Sequence, residues 1–272
     1  MTSSATDLLK AARAAEQAAY AAGTHLQACR SRLAEIVITH KAPGDVVSAI
    51  DHEAQTLIRD VVMRAFPGHG FVGEEGGQER GDDAELLADG RPVWVVDPLD
   101  GTANYLRGYP QYAVSIALVE AGEPQVGVIY DPCRNEFFGA IRGRGAVLNG
   151  EPIRCAAHRP PLESLAATVF PKPASARMPV YMAELGRMLR AFAGVRRSGS
   201  MALELAYLAA GRIDAFWEHD MGAWDAAAGT LLLREAGALI HARDGKPVLA
   251  SRSLLACTPG LFEPFLSLLA EQ

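Results

Sequence analysis

The stretch WVVDPLDGTANY, residues 94 to 105, places two aspartates directly after a short apolar run. Its first three residues are typical of a strand buried in a sheet, and Pro98 cannot donate a hydrogen bond to a neighbouring strand. We therefore expect the strand to end at Asp97, with Asp100 in the turn that follows. The Asp97 carboxylate then faces a cleft at the end of that strand.

The residues after Asp100 indicate an anion site. A helix that begins at Gly101 and Thr102 leaves the backbone N–H groups of its first turn unpaired, and its dipole favours an anion there. Two carboxylates beside such a turn require a cation between them and the anion, and hard oxygen ligands favour magnesium. The alternative is that Asp97 and Asp100 only cap a helix and close a turn.

Length, charge and cysteine content narrow the class of protein. The chain has 272 residues, enough for one large domain or two modest ones, and its formal net charge of −6 argues against a broad basic surface for nucleic acid. The four cysteines are scattered without the spacing of a disulfide framework or a zinc site, which favours a cytoplasmic protein. The N-terminal residues lack an export signal, and no apolar run reaches membrane-spanning length.

Two helices are predicted in the N-terminal part. An alanine-rich helix covers residues 7–34, and a second begins near Ser48 with Asp51 in its first turn, where an acid compensates the helix dipole. The segment 38–51 contains a Pro-Gly pair and is predicted to be an exposed loop. Lys41 at its tip is either a plain solvated lysine or a cation that reaches over a cleft.

Acidic residues also follow the next predicted strand, residues 71–73. For Glu74 and Glu75 a solvated acidic turn is the default interpretation, and the polar run 76–83 is predicted to be a loop. Asp225, in the stretch GAWDAAAG (222–229), stands at the start of an otherwise apolar helix. An acid in such surroundings favours a cation partner, because an unpaired buried charge is costly.

The remaining pattern predicts an antiparallel meander followed by alternating elements. The double proline near residue 160 predicts a boundary between a first domain, 1–159, and a second, 160–272. The meander strands are 112–120, 124–130 and 136–141, and the later segments are strand 166–170, helices 180–192 and 200–210, strand 213–217, helix 224–236, strands near Leu239 and Leu255, and a helix at 261–269.

Three motifs together resemble the inositol monophosphatase family of magnesium-dependent, lithium-sensitive phosphatases. They are FVGEE (71–75), DPLDGT (97–102), and WD (224–225) with EAG (235–237) downstream. The resemblance covers most of the chain. It implies a layered αβαβα sugar-phosphatase fold, with an α+β first part built on an antiparallel sheet and an α/β second part on a mixed sheet. It also implies a homodimer.

The resemblance implies a role for particular residues. Two to three magnesium ions would be bound by Glu74, Asp97, the carbonyl of Leu99, Asp100 and Asp225. Phosphate would bind the amides of Gly101 and Thr102. The Thr102 hydroxyl, hydrogen-bonded to Asp51, would act with Glu74 to activate a water. The residues expected to contact substrate are Lys41, Gly101, Thr102, Gly199, Ser200, Met201, Glu218 and Asp225.

Substrate choice within the family stays open at this point. Ala103-Asn104 is similar to the inositol phosphatase branch, whereas Met201 and the stretch 219–222 depart from its pattern. Glu218 is either a substrate contact or a surface acid. Inositol monophosphate is the expected substrate, and histidinol phosphate or another small sugar phosphate is the alternative. The non-enzyme alternative is an interaction partner of the transcription machinery, without direct nucleic-acid contact.

Overall fold

The computed structural model describes residues 4–35, 38–42, 45–75, 90–172 and 175–270, with side chains described outside 34–48. The α-helices are α1 (Ala5–Cys29), α2 (Ala49–Ala65), α3 (Thr102–Leu106), α4 (Met178–Ala191), α5 (Met201–Ala209), α6 (Ala223–Glu235), α7 (Val248–Ser251) and α8 (Phe262–Ala270). The strands are β1 (Ile38–Ala42), β2 (Asp45–Ser48), β3 (Gly70–Gly73), β4 (Val93–Asp100), β5 (Ala113–Glu120), β6 (Glu123–Asp131), β7 (Glu136–Ile141), β8 (Ala146–Leu148), β9 (Glu151–Ile153), β10 (Leu165–Thr168), β11 (Gly194–Arg196), β12 (Ala215–Glu218), β13 (Leu239–His241) and β14 (Leu254–Cys257).

The larger sheet has seven strands in the order β3-β4-β5-β6-β7-β8-β9. The strands from β4 to β9 pair antiparallel in chain order, as the predicted meander requires. Strand β3 lies parallel to β4 at the edge. This edge pairing brings the acids that follow β3 beside the end of β4, and so it positions the site.

Helices α1 and α2 cover one face of this sheet. Alternate residues of β4, among them Trp94 and Val96, point toward them and are buried with the alanines of α1. Small alanine side chains on the helix let its backbone approach the sheet closely. The helix begins at Ser4, whose side chain accepts from the Asp7 amide in a capping box.

Helices α5 and α6 form the next layer, on the opposite face of the same sheet. Both are apolar on nearly every side, which is the pattern of a helix buried between two sheets. The contact with β6 is close: a side chain at Gly127 would lie 2.8 Å from the carbonyl oxygen of Ala228. Glycine at this position therefore sets the spacing between sheet and helix.

The second sheet has the order β11-β10-β12-β14-β13, with parallel pairs around β10 and antiparallel pairs around β14. One face packs on α5 and α6, and the other packs on α4 and α8. The layers are thus helix, sheet, helix, sheet, helix, and the predicted αβαβα fold is confirmed. No helix within the described ranges is long and apolar enough to cross a membrane.

One prediction about the N-terminal part is wrong, and another is not tested. The segment predicted as a loop over 38–51 forms instead the antiparallel hairpin β1–β2, followed directly by α2. The β-branched residues on either side of the Pro-Gly pair in the sequence explain this pairing. The run 76–83, predicted as a loop, lies outside the described residues.

The proposed division of the chain near residue 160 remains a prediction. All strands of the first sheet precede residue 154, and all strands of the second follow residue 164. A short 3₁₀ turn, Pro161–Glu163, lies between them.

Candidate active site

The strand β4 does not end at Asp97 as the sequence predicts, because it pairs with β5 as far as Asp100. Asp97 lies opposite Ser115 and Asp100 opposite Ala113, so β4 carries one extra residue, a β-bulge at Pro98 and Leu99. Proline is tolerated at a bulge because its missing donor is not needed there. In a regular strand, two residues three positions apart face opposite sides of the sheet. The bulge changes this orientation, so that Asp97 and Asp100 can face the same side.

Asp100 is held by the start of helix α5. Its carboxylate accepts a hydrogen bond of 2.5 Å from the Ser200 hydroxyl, 3.2 Å from the Met201 amide and 2.7 Å from the Ala202 amide. Burial raises the pKa of Asp100 to about 6, although these donors act in the opposite direction. The N-terminus of α5 thus stabilises a carboxylate that comes from the other sheet.

Asp97 and Asp225 accept fewer hydrogen bonds than Asp100 does. Asp97 is buried and accepts from the Leu99 amide at 3.0 Å, and Asp225 accepts from the Gly222 amide at 2.6 Å. Desolvation, followed by the charge of Glu74, raises the pKa of both aspartates well above the usual range.

Glu74 completes the acidic cluster. It follows β3, is partly buried, and its backbone amide donates to the Val96 carbonyl at 3.0 Å. Its charge raises the pKa of Asp97, Asp100 and Asp225. Within the described part of the chain, no lysine or arginine forms an ion pair with those three aspartates.

The donor set fits a hard divalent cation. Carboxylates and a nearby backbone carbonyl offer oxygen atoms only, which suit magnesium rather than a thiophilic metal. The raised pKa values also favour a cation, because buried carboxylates of like charge need one before all of them can ionise.

Thr102 and Asp51 lie beside this cluster. The Thr102 hydroxyl lies 2.9 Å from Asp51 Oδ1 and 3.1 Å from the Leu99 carbonyl oxygen, and it can donate to either. Asp51 lies in the first turn of α2, as predicted, and is buried there. Dipole compensation alone does not explain it, since its carboxylate is engaged by a residue 51 positions away.

Asn104 is a site residue that the sequence interpretation missed. Its side-chain amide donates to the Gln111 carbonyl at 2.7 Å and to the Ser198 carbonyl at 2.9 Å. It therefore ties α3 to the loop before α5. Gly199 in that loop has φ of +88°, and a side chain there would lie 2.7 Å from Asn104. No local pattern signals this long-range contact.

Four of the predicted substrate residues, Glu218, Met201, Ser200 and Lys41, differ in what the structure shows of them. Glu218 is 5% exposed, so the interpretation as a surface acid is wrong, and burial raises its pKa to about 7. Met201 and Ser200 are buried at the start of α5, and the Ser200 hydroxyl is committed to Asp100. The side chain of Lys41 lies outside the described residues, so its predicted role stays a prediction.

The solvated acidic turn expected for Glu74-Glu75 is wrong for Glu75, which is 2% exposed. Gln55 on α2 clamps the backbone there: its side chain accepts from the Glu75 amide at 2.9 Å and donates to the Glu75 carbonyl. This contact fixes the residue that follows Glu74. In the sequence, the feature that could have indicated this contact is the glutamine in the predicted helix after Ser48.

Comparison with known proteins assigns the family. The model of the Inositol monophosphatase family matches residues 7–271. Inositol-1-monophosphatase of Rhizobium meliloti is 42% identical over 221 residues, 81% of each chain, and Nus factor SuhB of Xylella fastidiosa is 44% identical over 224 residues, 82% of this chain and 78% of the relative. The structure of inositol monophosphatase from Anabaena superposes with a TM-score of 0.80 at 34% identity, covering 97% of this chain and 96% of that one. The chain therefore belongs to the inositol monophosphatase family and is a phosphatase of that superfamily.

Proposed function

We propose that the chain is a magnesium-dependent phosphomonoesterase that hydrolyses inositol monophosphate to inositol and inorganic phosphate. The observation that carries the proposal is the acidic cluster of Asp97, Asp100 and Asp225, in which burial and then the charge of Glu74 raise every pKa. Such a cluster favours a bound divalent cation. Membership of the family supports a small phosphate ester as the substrate.

The residues that would hold two to three magnesium ions are Glu74, Asp97, Asp100 and Asp225 through their carboxylates, and Leu99 through its carbonyl. When bound, the ions supply a water of lowered pKa and neutralise charge on the phosphate and on the leaving oxygen. Asp100 would enter this set already oriented, because three donors from the start of α5 fix it.

Thr102 and Asp51 would orient the attacking water. A charged acceptor binds a hydroxyl more strongly than a neutral carbonyl does, so Thr102 donates preferentially to Asp51. The Thr102 oxygen is then left as an acceptor for a proton of the water. Glu74, which is partly exposed, would take part in removing that proton.

The phosphate would bind at the turn between β4 and α3, on the amides of Gly101 and Thr102. Gly101 has φ of +97°, and a side chain there would lie 2.9 Å from the Gln111 carbonyl oxygen. The turn thus requires glycine. Helix α3 has five residues, so we assign phosphate binding to the amides themselves more than to a helix dipole.

Glu218 would accept hydrogen bonds from substrate hydroxyls. One of its carboxylate oxygens is buried without a hydrogen-bond partner among the described residues, and its charge raises the pKa of Asp225. Both facts support a position beside the metal ligands. We assign Gly199, Ser200, Met201 and Lys41 to the same pocket from the family resemblance.

Phosphate release from a substrate panel tests the proposal. The panel holds inositol 1-phosphate, histidinol phosphate, fructose 1,6-bisphosphate and adenosine 3′,5′-bisphosphate, with magnesium and with or without lithium. We expect lithium-sensitive hydrolysis with the highest kcat/KM on inositol 1-phosphate. Preference for another ester would reject the substrate and keep the chemistry, whereas no hydrolysis of any ester would reject both.

A role in transcription is the second candidate. The name of the Xylella fastidiosa relative, Nus factor SuhB, supports it, and we infer a protein partner because the net charge of −6 gives no support for direct nucleic-acid contact. A pulldown with Asp97→Asn separates the two candidates. Retention of a transcription protein by the inactive variant would support this role, and a lack of any such partner for both proteins would reject it.

We also propose that the protein is a cytoplasmic homodimer. All four cysteines are unpaired, which is typical of a reducing compartment. Val180, Met182 and Leu189 on α4 are each more than half exposed, and such apolar side chains suit an interface. Light scattering should give twice the mass of one chain. Leu189→Glu should halve that value, and a wild-type monomer would contradict the proposal.

A further inference from the structure

A second group of potential metal ligands lies between α1 and α2. His25 and Cys29 are one turn apart on α1, and Glu53 reaches them from α2. His25 Nε2 is 2.9 Å from Glu53 Oε2 and 3.7 Å from Cys29 Sγ. The three ligand atoms all lie within 4.8 Å of one another. The scattered cysteines alone gave no sign of this group, because two of its members are not cysteines and one comes from another helix.

The spacing of these atoms suits one tetrahedral ion. With a Zn–S bond of about 2.3 Å and Zn–N and Zn–O bonds of about 2.0 Å, two ligand atoms of a tetrahedral site lie about 3.3 to 3.5 Å apart. The observed distances of 2.9 and 3.7 Å lie on either side of this range. Small rotations of the imidazole and of the Glu53 side chain would bring the atoms to it.

A simple ion pair accounts for only part of the arrangement. It explains why His25 faces Glu53, but not why a thiol that is 3% exposed lies against the same imidazole. The sulfur is near both ring nitrogens, at 4.0 Å from Nδ1 and 3.7 Å from Nε2. Residues at positions i and i+4 share a helix face, so His25 and Cys29 are preorganised to act together.

Access and ligand type indicate which ion would bind. The side chains of His25 and Glu53 are 26% and 57% exposed, so an ion can enter from solvent and a water can take the fourth position. A thiolate and an imidazole select a thiophilic ion over magnesium. Arg32, whose Nη2 lies 3.9 Å from Cys29 Sγ, is exposed and is the cation that a metal would displace.

We infer that His25, Cys29 and Glu53 form a site for a thiophilic divalent cation such as Zn²⁺, separate from the oxygen-only cluster at the end of β4. Binding would form bonds to Cys29 Sγ, His25 Nε2 and a Glu53 oxygen. The Cys29 thiol proton goes to solvent, and the imidazole proton resides on Nδ1. The site closes the end of α1, at the start of the 3₁₀ segment Arg30–Glu35 that leads to β1.

Cobalt absorption tests this inference without any catalytic readout. Full-length protein saturated with magnesium is titrated with Co²⁺, which gives an intense near-ultraviolet charge-transfer band when a thiolate coordinates it. We expect the band in the wild type and in the control Cys133→Ser, and its loss in Cys29→Ser. Asp97→Asn should leave the band unchanged, so failure of this site and failure of the proposed magnesium site are distinguishable.

Zinc affinity provides the second measurement. In competition with a chromogenic chelator, we expect Cys29→Ser and His25→Gln to weaken Zn²⁺ binding at least tenfold, and Arg32→Ala to strengthen it several-fold by removing the competing charge. Circular dichroism checks that each variant is folded. Absence of the cobalt band in the wild type, or its persistence in Cys29→Ser, would overturn the inference.

Discussion

Asp100 and the pair Asp97 and Asp225 belong to the same acidic cluster but are stabilised in different ways. Three donors from the start of α5 hold Asp100, whereas Asp97 and Asp225 each accept one backbone hydrogen bond. The pKa of Asp100 rises only to about 6, and those of the other two rise well above the usual range. The fold itself prepares one carboxylate for ionisation and leaves the other two dependent on a cation.

The aspartates of this one site therefore have two different roles. Asp100 joins the two sheets, because it lies at the end of β4 and caps a helix that packs on both. Asp97 and Asp225 have no such structural partner and are kept close by the fold despite their repulsion. Residues held against an electrostatic cost are typical of functional sites.

The largest expected effect is that of Asp97→Asn. Loss of a central carboxylate removes a metal ligand, so kcat should fall on the order of 10³-fold or more. Steady-state phosphate release at saturating magnesium measures it. The control is Asp60→Asn, an exposed residue of α2, which should retain full activity. Wild-type turnover in Asp97→Asn would remove this residue from the mechanism.

Magnesium should stabilise the protein in a pH-dependent manner. Since the folded-state pKa values of the three aspartates are raised, their contribution to stability is fully present below about pH 4 and is lost as pH rises through those values. A bound cation removes this loss. At 100-fold excess over Kd the gain is about 2.7 kcal/mol, or roughly 5 to 10 °C in Tm at pH 7.

Differential scanning calorimetry with and without magnesium measures this difference. We expect a much smaller gain at pH 5, where the aspartates retain their protons. Metal-free Asp225→Asn should melt above the metal-free wild type at pH 7, because folding then no longer requires this side chain to take up a proton. An equal magnesium effect at both pH values would contradict the assignment of the raised pKa values to this cluster.

A smaller effect is expected from Ser200→Ala, which removes one donor to Asp100. Loss of a partner that orients a metal ligand typically costs about 10-fold to 100-fold in metal affinity, and two amide donors remain here, so we expect about 10-fold. The matched control is Ser198→Ala, since Ser198 is close to the start of α5 in sequence but its hydrogen bond goes to Glu204 and not to Asp100. Magnesium titrations of activity compare the two, and equal affinities would show that α5 does not prepare Asp100.

The smallest effect is expected from Glu218→Gln. The amide keeps one acceptor for substrate hydroxyls but loses the charge, so KM for inositol 1-phosphate should rise about 5-fold with little change in kcat. In the wild type, KM should fall as pH rises through about 7, because the carboxyl then ionises. Hydrolysis of p-nitrophenyl phosphate, which has no polyol, is the control and should not respond.

Much of the fold follows from local sequence patterns. The helices α1, α2, α4 and α6 were predicted correctly, because the apolar residues of each recur at helical spacing over a long segment. The pairing of β1 with β2 was missed because the two strands have only five and four residues and the sequence between them contains a Pro-Gly pair, which favours a loop.

The candidate site was less accessible to sequence alone. The acids were identified by residue type and spacing, but the bond between Asp100 and Ser200 joins positions 100 residues apart. The bulge that carries β4 past Pro98 depends on its pairing with β5. The contacts of Asn104 and the burial of Glu75 likewise result from tertiary packing. Local patterns name the chemical groups, and only the fold determines which groups meet.

Counting protons during magnesium binding tests the central claim most directly. Calorimetric titrations at pH 7 in two buffers of different ionisation enthalpy give the number of protons released. If Asp97 and Asp225 retain protons until a cation arrives, binding should release on the order of one proton or more per chain, and fewer as pH is raised. Tight magnesium binding with no proton release at pH 7 would contradict the account.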